Sequence, residues 1–301
     1  MEKTTRRAFL HRMGTAAVVP AMTMIVPSFL RCVPADGEVN DEEIFRRTME
    51  WAGSHGLSEK PLEEVIAAVG KSFLGTPYVA HSLELPGEEQ LVVNLHAFDC
   101  LTFVESTLAI SRCIRTKKDS FGDFRRELQQ LRYRNGVIDG YPSRLHYFSE
   151  WIRDNEKKGI VKSVSQELGG IAHQKTLNFM STHRSSYAQL ENEAVMRQIE
   201  MRESEISQYP LQIVPRNTIR EAEQKIKSGD VVALATSMEG IDVSHTGLAV
   251  VSEREVQYLH APLSGGAVRL SRGSLSEYIQ HGAESLTGVM VVRPLEPVSS
   301  H

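Results

Sequence analysis

The stretch FDCLTFVE, residues 98–105, opens the helical pattern on which the fold depends. Asp99 is a residue type that caps helix N-termini well, and the following run, CLTFVESTLAISRCI, contains no glycine or proline. Apolar residues fall on nearly every side of this run, which is typical of a helix buried at the centre of a domain. The sequence therefore predicts a central helix that begins at Cys100 and forms the core for the rest of the chain.

Two cysteines, Cys100 and Cys113, fall on this predicted helix. Thirteen residues at about 1.5 Å each place them ~20 Å apart, whereas the Cα atoms of a disulfide lie within about 7 Å. Both are therefore predicted to be thiols. The backbone N–H groups and dipole at a helix N-terminus stabilise a thiolate, which makes Cys100 the reactive candidate. Cys113 is expected to be inert core, and a small buried hydrophobe is the alternative for Cys100.

Two histidines near the C-terminus are candidates for a base beside Cys100. His245 lies in SHTGLAVV and His260 in VQYLHA, two strand-like runs joined by a turn. If Ser252 and Glu253 form a two-residue loop, the two imidazoles lie directly opposite each other on one face. A four-residue turn makes them diagonal neighbours on the same face. A thiolate, a base and a third group that orients the base form the general pattern of nucleophilic catalysis.

Zinc binding is the competing use of cysteine and histidine. The sequence has no CxxC or HExxH spacing, and a single thiolate with two histidines would be a catalytic type of zinc site rather than a structural one. We therefore predict no metal and no other cofactor.

The order of patterns along the chain predicts an α+β fold. Residues 41–73 have a helical pattern that stops at GTPY, residues 75–78. After Gly229, short β-rich runs predict an antiparallel meander on which the central helix packs. Residues 117–228 are predicted to be a mostly helical insertion, with one strand signal at LQIVP, residues 211–215. We expect residues 36–301 to form a single catalytic domain.

Residues 1–35 have the pattern of a signal peptide of the twin-arginine type. Arg6 and Arg7 precede an apolar stretch that ends in small residues near a cleavage point. This stretch contains two prolines and is shorter than the ~20 apolar residues of a spanning helix. We therefore expect export to the periplasm without stable membrane insertion.

The charge of the mature chain excludes two classes of partner. Loss of residues 1–35 removes five basic residues and one acidic residue, which changes the net charge from −4 to about −8. An acidic chain has no electrostatic footprint for nucleic acid or for an anionic membrane. Compact molecules held in a site are the expected partners.

Several of these stretches carry a resemblance to known families. GTPYV, FDCLTFVE, DVSHTGLAVV and LHAP resemble the NlpC-type branch of the papain-like cysteine peptidases, which cut bacterial cell-wall peptides. FDCLTFVE, YPSRLHYFSEWI (residues 141–152) and DVSHTG resemble more closely a subfamily of N-acetylmuramoyl-L-alanine amidase-like proteins. The resemblance implies a papain-like core and muropeptides, the soluble fragments of peptidoglycan, as partners. It also implies cleavage of the amide between N-acetylmuramic acid and L-alanine through a cysteine thioester.

The resemblance also implies roles for individual residues. Cys100 matches the nucleophile, His245 the general base and acid, and His260 the residue that orients the base. Tyr78 matches a tyrosine that contacts substrate or transition state. Asp99 matches an acidic residue that, in endopeptidase members, helps to bind a free L-alanine amine.

Further substrate-binding candidates surround these motifs. Arg144 could grip a peptide carboxylate through two hydrogen bonds, and three aromatic residues could stack on sugar rings: Tyr141, Tyr147 and Trp151. The helical spacing of neighbouring apolar residues leaves open that this stretch docks on the core. Asp242 and Ser244 lie beside His245 and could support the site, although Asp242 could also be an ordinary turn residue.

Two other functions remain open. An endopeptidase that cuts between D-glutamate and the diamino acid would use the same three residues. Asp99 favours this alternative, because an amidase substrate has no free L-alanine amine. A non-catalytic wall-binding protein on the same fold would not require a reactive Cys100.

Overall fold

The computed structural model describes residues 40–252 and 255–298. The predicted signal peptide, residues 1–35, lies outside the described residues. The α-helices are α1 (Asp41–Ser54), α2 (Leu62–Ser72), α3 (Cys100–Thr116), α4 (Phe121–Arg132), α5 (Phe148–Lys157), α6 (Phe179–Thr182), α7 (Glu193–Ile206), α8 (Ile219–Ala222) and α9 (Leu275–Gln280). The strands are β1 (Val161–Ser163), β2 (Ile171–His173), β3 (Leu211–Pro215), β4 (Val231–Thr236), β5 (Val243–Val251), β6 (Val256–His260), β7 (Arg269–Leu270) and β8 (Leu286–Pro294).

Helix α3 is the central helix that the sequence predicts. It begins at Cys100, directly after the N-cap Asp99, and ends where Lys117 adopts a left-handed conformation. Most of its side chains are buried, on all sides of the helix. It packs against α2, α4 and strand β5, so burial on every face explains why its apolar residues are not confined to one stripe.

The sheet is antiparallel, which together with the helices gives the predicted α+β class. Its strand order is β2-β3-β8-β4-β5-β6-β7. Strand β1 lies outside this order and also pairs with β8. The predicted meander holds for β4 to β7, but it is wrong for β8, which returns to pair with β4 through registers such as Val232↔Val291. Strand β4 is buried along its whole length, because its side chains alternate between two hydrophobic clusters, one on each face of the sheet.

The segment from 117 to 228 contributes strands as well as helices. Strands β1 and β3 both pair with β8, through Val161↔Pro294 and Val214↔Val289 respectively. The strand predicted at LQIVP is therefore present as β3, whereas the three-residue strands β1 and β2 were too short to give a sequence signal. The limits of a catalytic domain at 36–301 remain a prediction.

In the β5–β6 hairpin, each β5 residue pairs with a β6 residue two positions further along the chain than a two-residue loop requires. Val251 pairs with Val256 and Leu248 with Leu259, so four residues separate the paired ends. The predicted two-residue loop at Ser252 and Glu253 is therefore wrong, and the alternative with a four-residue turn applies. His245 and His260 consequently lie diagonally across the two strands.

The helices carry no sign of a membrane span. Across residues 40–252 and 255–298, no helix combines the length and the apolar content that crossing a bilayer requires.

Candidate active site

Cys100 is the first residue of α3, and Asp99 caps the N-terminus of this helix. The Asp99 carboxylate accepts hydrogen bonds from the backbone N–H groups of Leu101 at 3.0 Å and Thr102 at 2.8 Å. The Thr102 hydroxyl in turn accepts the backbone N–H of Asp99 at 2.9 Å, which completes a capping box. Cys100 is partly exposed and lines a cavity, where the positive end of the helix dipole stabilises a thiolate.

Cys113 lies near the opposite end of the same helix in a different environment. Its side chain is fully buried. Burial, with a smaller contribution from the Glu127 and Asp123 carboxylates, raises the pKa of the Cys113 thiol to about 12. Neither of these two cysteines forms a disulfide.

The structure brings His245 and His260 together as a hydrogen-bonded pair. Nε2 of His245 lies 2.8 Å from Nδ1 of His260. Their rings are nearly perpendicular, with centroids 5.0 Å apart. The diagonal register on one face of β5 and β6 produces this contact.

Aromatic rings hold His260 in place. Its ring stacks on Tyr258, with centroids 4.7 Å apart, and meets the Tyr278 ring edge to face at 5.1 Å. The Tyr258 hydroxyl donates to the Val232 carbonyl at 3.0 Å, which fixes the stacking partner. Gly247 makes room for this ring, because a Cβ there would lie 2.7 Å from a Tyr258 ring carbon. His260 is fully buried as a result.

The surroundings favour neutral imidazoles. Burial, assisted by the positive charge of Arg269, lowers the pKa of His245 to about 4. Burial, His245 and Arg269 also lower the pKa of His260. A neutral His245 at pH 7 can accept a proton from a thiol.

Two adjoining cavities meet at Cys100 and His245. The larger chamber has a volume of about 210 Å³ and is lined by Tyr78, His81, Asp99, Arg132 and Arg144 among others. The smaller chamber has a volume of about 110 Å³, and its lining includes Tyr147, Phe148, Met180 and Asp242. A bond held between the thiol and the imidazole could therefore have one substrate group in each chamber.

The residues predicted near the nucleophile reach the cavities in different ways. Tyr78 and Asp99 line the larger chamber, and Ser244 lines both chambers. Asp242 lines the smaller chamber, but its carboxylate accepts hydrogen bonds from the backbone N–H groups of Ser149 at 2.6 Å and Val243 at 2.8 Å. Asp242 thus ties α5 to the start of β5.

The sugar-stacking predictions for three aromatic residues do not fit their placement. Trp151 is fully buried, stacks on Phe148 and donates its indole N–H to Glu105 at 3.2 Å. Tyr147 is 5% exposed, and its hydroxyl donates to Glu203 at 2.6 Å. Tyr141 is 4% exposed. Tyr141 and Trp151 line neither chamber, whereas Tyr147 lines the smaller one. All three rings stabilise the core around the site, as the helical spacing of their apolar neighbours indicated.

Arg144 is engaged within the protein. Its guanidinium donates to the Glu84 carboxylate at 2.7 Å and to the Leu83 carbonyl at 2.7 Å, and it lies 3.6 Å from Glu89. It also covers the Tyr141 ring at 4.8 Å. Arg144 therefore holds the irregular segment 79–97 at the edge of the larger chamber, and its grip on a substrate carboxylate remains a prediction.

Three residues that line the larger chamber have no site role predicted from the sequence: Glu84, His81 and His146. Glu84 and His81 belong to the irregular segment 79–97, which has neither a periodic pattern nor a motif. His81 adopts a backbone φ of +60°, a conformation that its residue type does not indicate. His146 does lie within YPSRLHYFSEWI, residues 141–152, so the resemblance of that stretch was a cue for it.

Across the part of the chain that the structure describes, no three or more His, Cys, Asp or Glu side chains are grouped so that they could hold a metal ion.

Comparison with known proteins gives a consistent family. A family model described as AmiA-like, N-acetylmuramoyl-L-alanine amidase-like, matches residues 68–286. A solved N-acetylmuramoyl-L-alanine amidase from Bacteroides uniformis is 33% identical, with a TM-score of 0.73, and the match covers 77% of this chain and 98% of that one. No curated protein matches the chain.

Two further solved structures share the fold. A Bacteroides fragilis protein, provisionally named as a xylanase, is 36% identical over 75% of this chain and 99% of its own, with a TM-score of 0.71. A Legionella pneumophila protein of the DUF1460 family is 19% identical, with a TM-score of 0.66 over 86% of this chain and 96% of its own. The second likeness extends to the fold alone.

Proposed function

Because the chain belongs to the N-acetylmuramoyl-L-alanine amidase-like family, we propose that it cleaves the amide between N-acetylmuramic acid and L-alanine in muropeptides, with Cys100 as the nucleophile. The hydrogen bond of 2.8 Å between His245 and His260, beside a cavity that Cys100 also lines, carries this proposal. The histidine pair provides an oriented base for the Cys100 thiol at the N-terminus of α3.

In the first half of the reaction the thiol becomes acylated. Nδ1 of His245 takes the proton from the Cys100 thiol, since Nε2 already faces His260. The sulfur attacks the lactyl carbonyl carbon of the muramic acid and forms a tetrahedral oxyanion. When this intermediate collapses, the C–N bond breaks and the imidazolium gives its proton to the departing L-alanine nitrogen. The products are a thioester on Cys100 and the free stem peptide.

In the second half, water releases the sugar. His245, neutral again, takes a proton from a water molecule that attacks the thioester carbonyl. The C–S bond breaks, the imidazolium returns its proton to the sulfur, and the lactyl group leaves as a carboxylic acid that loses its proton to solvent. No cofactor takes part in either half.

His260 orients the base and does not itself exchange protons with the substrate. Its ring is held between Tyr258 and Tyr278 and points one nitrogen at His245. Burial lowers the pKa of His245 to about 4, so the base is neutral at rest. This role corresponds to the third member of a catalytic triad.

The oxyanion is stabilised by the start of α3 and by the neighbouring segment. We assign the backbone N–H of Cys100 as one donor, because the Asp99 cap is directed at the next two N–H groups. The Tyr78 hydroxyl is the second donor. Tyr78 lines the chamber, and its backbone N–H donates to the Gly266 carbonyl at 2.8 Å, which fixes its position.

The proposal includes a papain-like arrangement, in which a nucleophile opens a helix that packs on the strand carrying the base. The contact between α3 and β5 supports it. Muropeptides occur outside the cytoplasm, so the proposal also includes export to the periplasm by the twin-arginine-type signal predicted at residues 1–35.

An endopeptidase that cuts between D-glutamate and the diamino acid is the second candidate. Asp99 favours it, because this acidic residue lines the larger chamber and could hold a free amine. In an amidase, Asp99 acts mainly as the helix cap, and its hydrogen bonds to Leu101 and Thr102 support that role.

Mass spectrometry of the products tests the proposal. The mature protein, Cys100→Ala and the matched control Cys113→Ala are each incubated with a disaccharide-peptide muropeptide. An amidase releases free disaccharide and an intact stem peptide, and the Cys100→Ala variant releases neither. A cut inside the peptide would instead identify the endopeptidase.

A non-catalytic wall-binding protein is the third alternative, and it predicts no reactive thiol. The rates at which iodoacetamide alkylates Cys100 and Cys113 in the native protein decide this point. We expect Cys100 to react at least about a hundred times faster, because burial raises the pKa of Cys113 to about 12. Equal rates, with no turnover of muropeptide, would favour the non-catalytic alternative.

A further inference from the structure

Glu84 lies at the junction of the two chambers in a fixed orientation. Its Oε1 accepts a hydrogen bond from the Arg144 guanidinium at 2.7 Å, and its Oε2 accepts one from the Tyr141 hydroxyl at 3.1 Å. Burial raises the pKa of Tyr141, so this hydroxyl stays protonated and donates. The two contacts set both carboxylate oxygens in a defined direction.

Exposure separates Glu84 from the residues that hold it. The Glu84 side chain is 27% exposed, whereas that of Arg144 is 4% exposed. Within residues 40–252 and 255–298, Glu84 is the one carboxylate that lines both the larger and the smaller chamber, together with Cys100 and His245. A carboxylate that is held by two hydrogen bonds, is partly exposed and belongs to a residue lining both chambers is placed to meet a substrate.

Glu89 also pairs with Arg144, but its role is structural only. Its carboxylate lies 3.6 Å from Arg144 and accepts the Tyr133 hydroxyl at 2.8 Å, but its side chain is only 6% exposed. Glu89 lines neither chamber. Pairing with Arg144 therefore does not require the exposed position that Glu84 occupies.

The chemistry of the supported carboxylate selects the kind of group that it binds. Each carboxylate oxygen has two acceptor positions, and Arg144 and Tyr141 together occupy one on each oxygen of Glu84. The remaining positions accept N–H or O–H donors. The Arg144 charge offsets only part of the Glu84 charge, because Glu89 also lies 3.6 Å from Arg144. The free positions suit amide N–H, hydroxyl and ammonium donors.

We propose that Glu84 is a substrate-binding residue that accepts hydrogen bonds from N–H or O–H groups of the muropeptide beside the scissile amide, and that Tyr141 and Arg144 are positioning residues that orient it. This inference rests on the proposed function. It gives Tyr141 and Arg144 a route to substrate recognition that does not need either side chain to touch the substrate.

Steady-state kinetics of Glu84→Gln on a disaccharide-peptide muropeptide test the proposal, with Glu89→Gln as the matched control. Glutamine keeps the size of the side chain but loses one charged acceptor. We expect KM to rise about tenfold for Glu84→Gln, with kcat within about twofold, because a hydrogen bond made equally in ground and transition states affects KM alone. Glu89→Gln should keep KM within about twofold of wild type.

If Glu84→Gln does not fold, the kinetics of Tyr141→Phe test the role of Glu84 independently. It leaves the Arg144 contact in place and removes the hydrogen bond to Oε2, so we expect KM to rise about threefold with an unchanged kcat. Thermal unfolding of each variant checks that the fold is intact.

The outcomes separate this inference from the proposed function. Wild-type KM in both Glu84→Gln and Tyr141→Phe, on a substrate that the wild-type protein cleaves, would overturn the role of Glu84 alone. An equal rise in KM for Glu84→Gln and Glu89→Gln would also overturn it, because the effect would then come from the shared loop. If the wild-type protein cleaves no muropeptide, the proposed function fails and the inference fails with it.

Discussion

The two ends of helix α3 hold the same residue in opposite chemical situations. Cys100 begins the helix, under the Asp99 cap, and faces the chambers that His245 also lines. Cys113 lies near the last turn, fully buried, and burial raises its pKa to about 12. Since the residue type and the helix are the same, the position relative to the helix dipole and the core decides which thiol can react.

Exchanging each cysteine for alanine gives the largest expected effect. Cys100→Ala should lower kcat on a muropeptide by at least about a thousandfold, because the nucleophile is lost, while the fold remains intact. Cys113→Ala should keep kcat within about twofold and lower the free energy of unfolding by about 1 kcal/mol, because a small buried group is removed. Turnover rates and urea unfolding measure the two effects. Similar kcat values for the two variants would remove the distinction between the helix ends.

The histidine pair gives the next largest effect. His245→Ala should lower kcat by about 10³-fold, since general acid and base catalysis contributes roughly 10²–10⁴-fold. His260→Ala should lower it less, by about tenfold to a hundredfold, because the base is still present but no longer oriented. Kinetics of both variants and of the double variant test this order. A double variant much worse than His245→Ala alone would show that His260 acts independently of His245.

The pH dependence of stability tests whether the base at the Cys100 end is neutral at rest. Burial lowers the pKa of His245 from 6.5 to about 4 in the folded protein. Between these values the unfolded chain binds a proton that the folded protein does not, so stability falls as the pH falls from 6.5 to 4, by up to about 1.4 kcal/mol per pH unit. Urea unfolding of wild type and His245→Gln at pH 7 and pH 5 measures this effect.

The wild-type protein should lose about 2 kcal/mol more than His245→Gln between the two pH values. Titrating groups away from His245 contribute equally to both proteins and cancel in the comparison, whereas His260 contributes differently, because His245 is one cause of its lowered pKa. An equal loss would mean that His245 titrates near its ordinary value, as expected if it pairs with a Cys100 thiolate before substrate arrives.

The Asp99 cap gives the smallest effect and concerns the start of α3 directly. Asp99→Ala should lower the free energy of unfolding by about 1 kcal/mol, and Asp99→Asn by less, because asparagine still caps the helix. If Asp99 serves mainly as the cap, Asp99→Asn should keep KM within about threefold. A large rise in KM for Asp99→Asn at unchanged stability would instead favour the endopeptidase.

Local signals account for the parts of the site that the sequence predicts well. The start of α3 follows from one capping residue and a run without glycine or proline, all within a few positions of Cys100. The shared face of His245 and His260 follows from the two-residue period of strands, and it survives the error in the predicted loop because a shift to a four-residue turn keeps both residues on that face.

Contacts between distant parts of the chain account for what the sequence did not predict. The return of β8 to β4 depends on which sheet edge is available, and a strand pattern does not encode that order. Glu84 owes its position to Tyr141 and Arg144, which lie 57 and 60 residues away. The stacking predicted for Trp151 was wrong because an aromatic residue in a helical pattern is compatible with either core or cavity, and only packing decides.

Peptide mapping of the covalent intermediate tests the central claim most directly. The mature protein is mixed with a disaccharide-peptide muropeptide, quenched in acid within the first turnover, digested, and the peptides that contain Cys100 and Cys113 are weighed. We predict a mass increase on Cys100 alone that equals the disaccharide with its lactyl acyl group and no amino acids. An adduct that also contains L-alanine and D-glutamate would contradict the amidase assignment, and turnover without any adduct on Cys100 would contradict its role as the nucleophile.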